Sequence, residues 1–412
     1  MTSIRAAWAC PIDGPPIRDA VIAVDGGRIV GIGAPGSLRP RLGQAGLPES
    51  GAESLDLGNA VLLPGLINAH THLELSWLRG RVPPAARFPE WVRTMFAARG
   101  RSDGAMAAEQ IVPIHGAIAE MRASGTVAVG DISNSLASVE PMREAGLDGI
   151  VFHELLGFLE RDGALVTAWQ DRRTAAGSAG ARVSVAPHAP YSTSLELFAA
   201  IRAAVDQSAC PIMSVHLGES PDEVELLQSG TGAWRGILEQ LGLWRSDWAI
   251  PGCSPVDYLD RHGLIDERTL VVHGVQFDDR ALGRLKAIGA TLVTCPRSNQ
   301  WVGVGYPPIE RFYQSGVSVA VGTDSLASVA DLNLFSELKT MRSLAPTVPA
   351  ARMLQSATLI GARALGLGHE LGTLTPGKRA QMMAVRLPER VDDVEEYLLT
   401  GIAPHQIEPL NL

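Results

Sequence analysis

Apolar residues recur along this chain in short blocks separated by longer mixed stretches, and the blocks predict β-strands. Eight follow one another after residue 60, at 61–69, 126–132, 149–155, 182–187, 211–215, 269–272, 290–294 and 317–322. Between them lie segments rich in Ala, Leu, Glu and Arg, such as 106–123, 195–205 and 278–288, whose composition and spacing predict helices. Eight strand blocks alternating with helices predict an α/β chain built as a (β/α)8 TIM barrel, in which reactive groups gather at the carboxyl ends of the strands.

The two ends of the chain follow another pattern. At 21–32 the sequence V-I-A-V-D-G-G-R-I-V-G-I predicts two strands joined through Asp25-Gly26-Gly27, a hairpin signal, so residues 1–60 form a small β unit. The Pro-, Gly- and Arg-rich segment 34–51 reads as a connector. Runs at 332–344 and 351–365 read as helices, and after the turn at 372–378 a last apolar strand at 381–385 is expected to return to the N-terminal β unit. The predicted division is therefore 1–60 and 370–412 for a small domain made from both termini, and 61–369 for the barrel. The interval 216–269 is too long for one helix and carries Trp234, Trp244 and Trp248 among glycines; it reads either as a lid or as packing.

Composition narrows the partners. A hydrophobic content of 46% implies a well-filled core, and a net charge of -9 argues against a nucleic-acid backbone. The expected partner is a small molecule. Cys10, Cys210, Cys253 and Cys295 have no C-x-x-C spacing, which fits a reducing compartment. With no run near the ~18 apolar residues of a membrane span and no signal-like start, the expectation is a cytoplasmic protein without membrane or nucleic-acid contacts. A homodimer is compatible with these features.

The first barrel block ends in His70 and His72, which share one face of an extended strand and can share one cation. His216, His273 and Asp324 each follow an apolar run of their own, so neighbouring strands of one barrel would bring all five together. Three imidazoles and a carboxylate, from His70, His72, His216 and Asp324, suit one divalent Zn²⁺ or Fe²⁺ better than Mg²⁺ or Ca²⁺. Such a cation acidifies a water to a pKa around ~7. Glu219, three residues after His216, can carry the proton that hydrolysis must move, or can simply be a first-turn acid of the next helix. His273 reads as a ligand or as an orienting group, and Asp324 also sits where a helix cap could.

The motifs P-G-L-I-N-A-H-T-H, P-H-A-P-Y-S-T-S, H-L-G-E-S, H-G-V, C-P-R-S-N and G-T-D-S-L-A-S stand in the order seen in the amidohydrolase superfamily. They resemble its cytosine-deaminase-like branch, which includes adenosylhomocysteine/methylthioadenosine deaminases, aminodeoxyfutalosine deaminases and triazine hydrolases. The resemblance runs from about residue 17 to residue 385. It implies a distorted barrel, a β-sandwich from both termini and a single Zn or Fe held by His70, His72, His216 and Asp324. It further implies Glu219 as proton shuttle, His273 as holder of the water or leaving group, Asp324 as base, and His188 as a substrate contact; Ser325 is also expected to contact the substrate. His153 and Glu154, at the end of the third strand block, are expected to line the pocket. Two-metal members use a carbamylated lysine on the fourth strand, and no lysine precedes Lys286 here, which excludes that centre.

The metal shell leaves the substrate open. The segment F-P-E-W-V, with Trp91, and the P-H-A-P-Y-S-T-S segment resemble pocket segments of adenosine-derivative deaminases; C-P-R-S-N with the tryptophan-bearing insertion looks most like aminodeoxyfutalosine deaminases of the menaquinone route. The expected reaction is deamination of 6-amino-6-deoxyfutalosine or a close adenosine derivative. The alternatives are an adenosylhomocysteine/methylthioadenosine deaminase or a triazine- or guanine-type hydrolase. Arg297 is expected to grip a substrate carboxylate, or else to pair with a nearby acid. A chain that had lost its chemistry and served only as an interaction protein would lack some of these ligands.

Overall fold

The computed structural model describes residues 1–35, 39–40, 53–100, 108–175 and 181–411. Most of the predicted connector at 34–51, and the start of the helix predicted from residue 106, lie outside the described residues.

All eight barrel strands form: β1 (Leu66–Thr71), β2 (Thr126–Ser133), β3 (Asp148–Leu155), β4 (Val183–Pro187), β5 (Met213–Leu217), β6 (Thr269–His273), β7 (Thr291–Thr294) and β8 (Ser318–Val321). They make two four-stranded sheets of order β4-β3-β2-β1 and β5-β6-β7-β8, parallel wherever the register is defined. β5, β6 and β7 are buried along their whole length, as expected of parallel strands covered on both faces. The sheets meet at both seams through residues at the carboxyl ends of strands. His216 N donates to His188 O at 2.9 Å, and Asp324 N donates to His70 O at 3.1 Å beside a Thr71–Asp324 bridge. The seams are thus stitched by the residues singled out for chemistry.

Several connecting helices start where their sequence says they should. Ser194 accepts from Leu197 N ahead of Leu195–Asp206, Ser220 from Glu223 N ahead of Pro221–Ser229, and Asp278 from Ala281 N ahead of Asp279–Ile288. The long interval after β5 holds three helices, Pro221–Ser229, Ala233–Gln240 and Pro255–Arg261. Its tryptophans face inward: Trp234 stacks on Tyr191 with ring centroids 4.0 Å apart, and Trp244 and Trp248 lie against Phe158.

The chain separates into two compact units, one of Met1–Ala69, Ala119–Ala128 and Asn333–Leu412, the other of His70–Ile118 and Val129–Leu332. In the first, an eight-stranded sheet runs Ile407–Asn411, Gln381–Arg386, Ala60–Pro64, Thr2–Ala9, Ile17–Asp25, Arg28–Gly33 and Arg39–Pro40, with Glu53–Asp56 paired to Thr2–Ala9. Gly26 and Gly27 make the predicted hairpin turn at φ 54° and 72°. The returning strand Gln381–Arg386 pairs antiparallel with Ala60–Pro64. The apolar run predicted as one strand at 61–69 is two strands broken at Gly65, because hydrophobicity alone does not mark where pairing changes partner. Residues 119–128 and 333–369 cluster with the terminal strands rather than with the second unit. Alternation tells which segments are helical, not what they pack on.

Gly322 ends β8 against the metal-ligand candidate of β1. A Cβ there would stand 2.6 Å from His70 O and 2.8 Å from His70 Cβ. Gly322→Ala is therefore expected to cost about 3 kcal/mol, the upper part of the range for overpacking a tight site, read as a melting temperature lower by roughly 5–10 °C.

Candidate metal centre and active site

β1 carries His70 and, one residue beyond the strand end, His72; the next turn, Leu73–Leu78, is tied down where Leu73 N donates to Asp131 Oδ1 at 2.8 Å. β5 carries His216, and Asp324 stands three residues past β8. The ligating atoms of His70, His72 and His216 lie within 4.8 Å of one another. Asp324 Oδ1 stands 3.6 Å from His72 Nε2 and 4.0 Å from His70 Nε2. Four side chains from three strands thus converge on one point.

The tautomers suit a cation. His216 Nδ1 donates to His188 O at 3.1 Å, which leaves the Nε2 lone pair for the cluster. Burial holds the imidazoles neutral. It lowers His70 well below the usual histidine value, helped by the neighbouring imidazoles, and it lowers His72 to about 3, helped by His188 and Arg99. His216 is lowered to about 4 by burial and then by His188. Neutral imidazoles with a common focus and one carboxylate fit a divalent cation that accepts nitrogen donors, and the set fits Zn²⁺ or Fe²⁺.

Beside this cluster a second pair faces the same space. Asn299 Nδ2 donates to His273 Nδ1 at 3.0 Å, which puts the ring proton on Nε2, 3.5 Å from Glu219 Oε1. Glu219 is not the helix cap, a position taken by Ser220. Its turn is held by Glu223, whose carboxylate accepts from Gly218 N and Glu219 N, each at 3.0 Å. Burial, with the nearby charges of Asp324 and Glu223, raises the Glu219 carboxyl well above the usual range. Asp324 Oδ2 accepts from Ser298 Oγ at 2.6 Å, fixing the other oxygen toward the imidazoles.

From the cluster a cavity of about 480 Å³ opens outward. Asn134, Glu154, His188 and Ser325 line its inner part; Trp91, Tyr191 and Trp234 form an aromatic wall. His188 Nδ1 is the donor to Ser192 Oγ at 2.5 Å, because the Ser192 hydroxyl already donates to Ala189 O, so Nε2 is an acceptor. Phe96, Leu156, Leu159, Leu241 and Leu243 stand exposed around the mouth.

Two expected pocket residues are elsewhere. Arg297 does not line the cavity; it donates to Asp331 Oδ1 at 3.0 Å and to Asp331 O at 2.8 Å, so its fork is spent on a neighbouring loop. His153 also stays out of the cavity wall. It alternates with Glu154 along β3, and its Nε2 donates to Asn134 O at 3.0 Å. Residues the sequence reading passed over are Glu74, Asn134, Glu223, Ser298 and Asn299. Ser298 and Asn299 were within C-P-R-S-N, where a serine and an amide after a strand end are a signal for holding a carboxylate and an imidazole. Among the described residues no helix is long and apolar enough to cross a membrane.

The comparisons with known proteins agree with this arrangement. The model of the Amidohydrolase family matches residues 61–404. A 5-methylthioadenosine/S-adenosylhomocysteine deaminase of Moorella thermoacetica is 31% identical over 96% of this chain and 89% of its own length. Aminofutalosine deaminase of Helicobacter pylori, solved with methylthio-coformycin, superimposes with a TM-score of 0.83 at 26% identity, covering 99% of this chain and 97% of that one. An adenosine deaminase of Xanthomonas campestris solved with bound zinc gives a TM-score of 0.81 at 26% identity, over 98% and 90%. With the family model spanning well over half of its length, the chain belongs to the amidohydrolase family and is a hydrolase acting on carbon–nitrogen bonds of cyclic amidines.

Proposed function

We propose that the protein is a metal-dependent deaminase of a 6-aminopurine nucleoside, and that its substrate is 6-amino-6-deoxyfutalosine, an intermediate of the menaquinone route, in the cytoplasm. The observation that carries this reading is the cavity of about 480 Å³ that joins the imidazole cluster to an aromatic wall, a size and lining suited to a small aromatic ligand. The deaminase relatives and the Helicobacter pylori neighbour support the nucleoside class. With Arg297 withdrawn, Arg99 is the one arginine or lysine among the described lining residues, and it takes over the assignment to the substrate's carboxylate.

In this reading His70, His72, His216 and Asp324 hold one Zn²⁺ or Fe²⁺. The bound cation supplies Lewis acidity, lowering the pKa of water toward neutrality. Asp324, fixed by Ser298, takes the proton of the water as its oxygen bonds to the carbon bearing the amino group. Glu219, kept protonated by burial, gives its proton to the adjacent ring nitrogen; Asp324 then passes the proton it took from the water to the amino group, which departs as ammonia, and the remaining hydroxyl proton returns to Glu219 as the carbonyl forms. His273, with Nε2–H directed at Glu219, holds that carboxyl and the departing group in place. His188 Nε2, Ser325 and Trp91 position the purine and sugar.

The test is ammonia release by the metal-loaded protein over a panel of 6-amino-6-deoxyfutalosine, 5′-methylthioadenosine, S-adenosylhomocysteine, adenosine, guanine, cytosine and triazines. Aminodeoxyfutalosine should lead in kcat/KM by at least about tenfold, the 1.4 kcal/mol that one added contact supplies. A faster thioether nucleoside would move the assignment to that class. A faster triazine or guanine would remove the nucleoside reading.

A further inference from the structure

Glu74 is a buried carboxylate that lines no part of the cavity, yet four donors converge on it. Ser133 Oγ and Asn134 N donate at 2.8 Å, Ser135 Oγ at 2.8 Å and Ser135 N at 3.1 Å. Burying a carboxylate is costly unless its oxygens are bonded, and here every bond comes from the last residue of β2 and the turn that follows it. Arg99 NH2 stands 3.9 Å from it and offsets its charge. The loop pinned in this way carries Asn134. Its side chain donates to Glu154 Oε2 at 3.0 Å and to Glu154 O at 3.2 Å, and its carbonyl accepts from His153. A chain of contacts therefore runs from the residue two beyond His72, through one loop, to a carboxylate on β3.

The far end of that chain is unsatisfied. Glu154 is 6% exposed and lines the cavity between Asn134 and His188, but its Oε1 has no hydrogen-bond partner. His216 Nδ1 is 3.4 Å away, and its single proton already goes to His188 O. A buried oxygen left without a donor costs on the order of 1–3 kcal/mol. With the other oxygen held by the Asn134 amide, the remaining oxygen suits a hydroxyl donor.

We propose that Glu154 Oε1 receives a hydroxyl of the substrate's sugar, and that Glu74 is a positioning residue that sets Glu154 in place through Asn134. The assignment rests on the nucleoside reading above and names the feature of the nucleoside that the inner cavity selects.

The experiment compares adenosine-type nucleosides with their 2′-deoxy and 3′-deoxy counterparts, by kcat/KM for deamination and by calorimetric affinity for the inosine-type products. The parent should favour the ribonucleoside over one of the deoxy forms by about 10- to 100-fold, as one lost hydrogen bond in a buried site dictates. In Glu154→Ala that preference should shrink to within about threefold. Glu74→Gln and Asn134→Ala should shrink it as well, with the change carried mainly by KM. A melting curve checks each variant, and if Glu74→Gln does not fold, Asn134→Ala decides. A preference unchanged in Glu154→Ala, or lost metal with the preference intact, overturns the proposal and makes Glu154 a support for His216. Parent turnover of nucleosides with no ribo-over-deoxy preference sinks the hydroxyl assignment alone, whereas no turnover of any 6-aminopurine nucleoside overturns both.

Discussion

Glu219→Gln is expected to lower kcat by about 10²- to 10⁴-fold, the range that a positioned proton donor contributes, with metal content equal to the parent's by elemental analysis. The amide keeps the size of the side chain and can still meet His273 Nε2–H, but it can neither give a proton to a ring nitrogen nor take one back. Because Glu219 stands apart from the four ligand candidates, the loss should fall on kcat, with KM within a few fold. A variant that loses its metal together with its activity would place Glu219 among the ligands; one that keeps more than about a tenth of the parent rate would remove it from proton transfer.

Asp324→Asn should do the opposite of separating metal from chemistry, since the carboxylate both stands 3.6 Å from His72 Nε2 and 4.0 Å from His70 Nε2 and is the proposed base. Loss of that charge is expected to cut metal content to below about a tenth and activity with it. Stability should move in two directions. A bound ligand stabilises by about 2.7 kcal/mol at a hundred times its Kd, so the parent should melt higher with Zn²⁺ added and the variant should not. Without metal the order should reverse or level. Burial raises the Asp324 carboxyl above its usual value, meaning that the charged form costs stability at neutral pH, and the neutral amide escapes that cost. Melting curves with and without Zn²⁺ read both halves. A variant that keeps full metal content would end the ligand assignment.

Much of this was legible before any coordinates. Paired imidazoles at the end of an apolar block, and further ligands each following another block, are enough to place His70, His72, His216 and Asp324 together, because the carboxyl ends of barrel strands share one face. What was not legible depends on direction and on second neighbours. Arg297 has the right type for a carboxylate, but its orientation is set by Asp331, 34 residues on, which no local pattern announces. His153 and Glu154 were both expected to line the cavity; the twofold alternation of a strand allows one of the two, and β3 turns Glu154 inward. Glu74 and Asn134 matter through a loop that folds back over 60 residues of sequence, where the only trace is a cluster of small polar residues after a strand.

Two backbone angles bear on how such a protein changes over generations. His273 and Asp324 sit at φ 79° and 60°, a region that side-chain-bearing residues avoid and that costs on the order of 1–3 kcal/mol at each position. Glycine would rest there without penalty. A lineage selected in the laboratory for heat tolerance alone, with turnover left unrewarded, would therefore be drawn toward glycine at both positions, at the expense of the reactive histidine and aspartate.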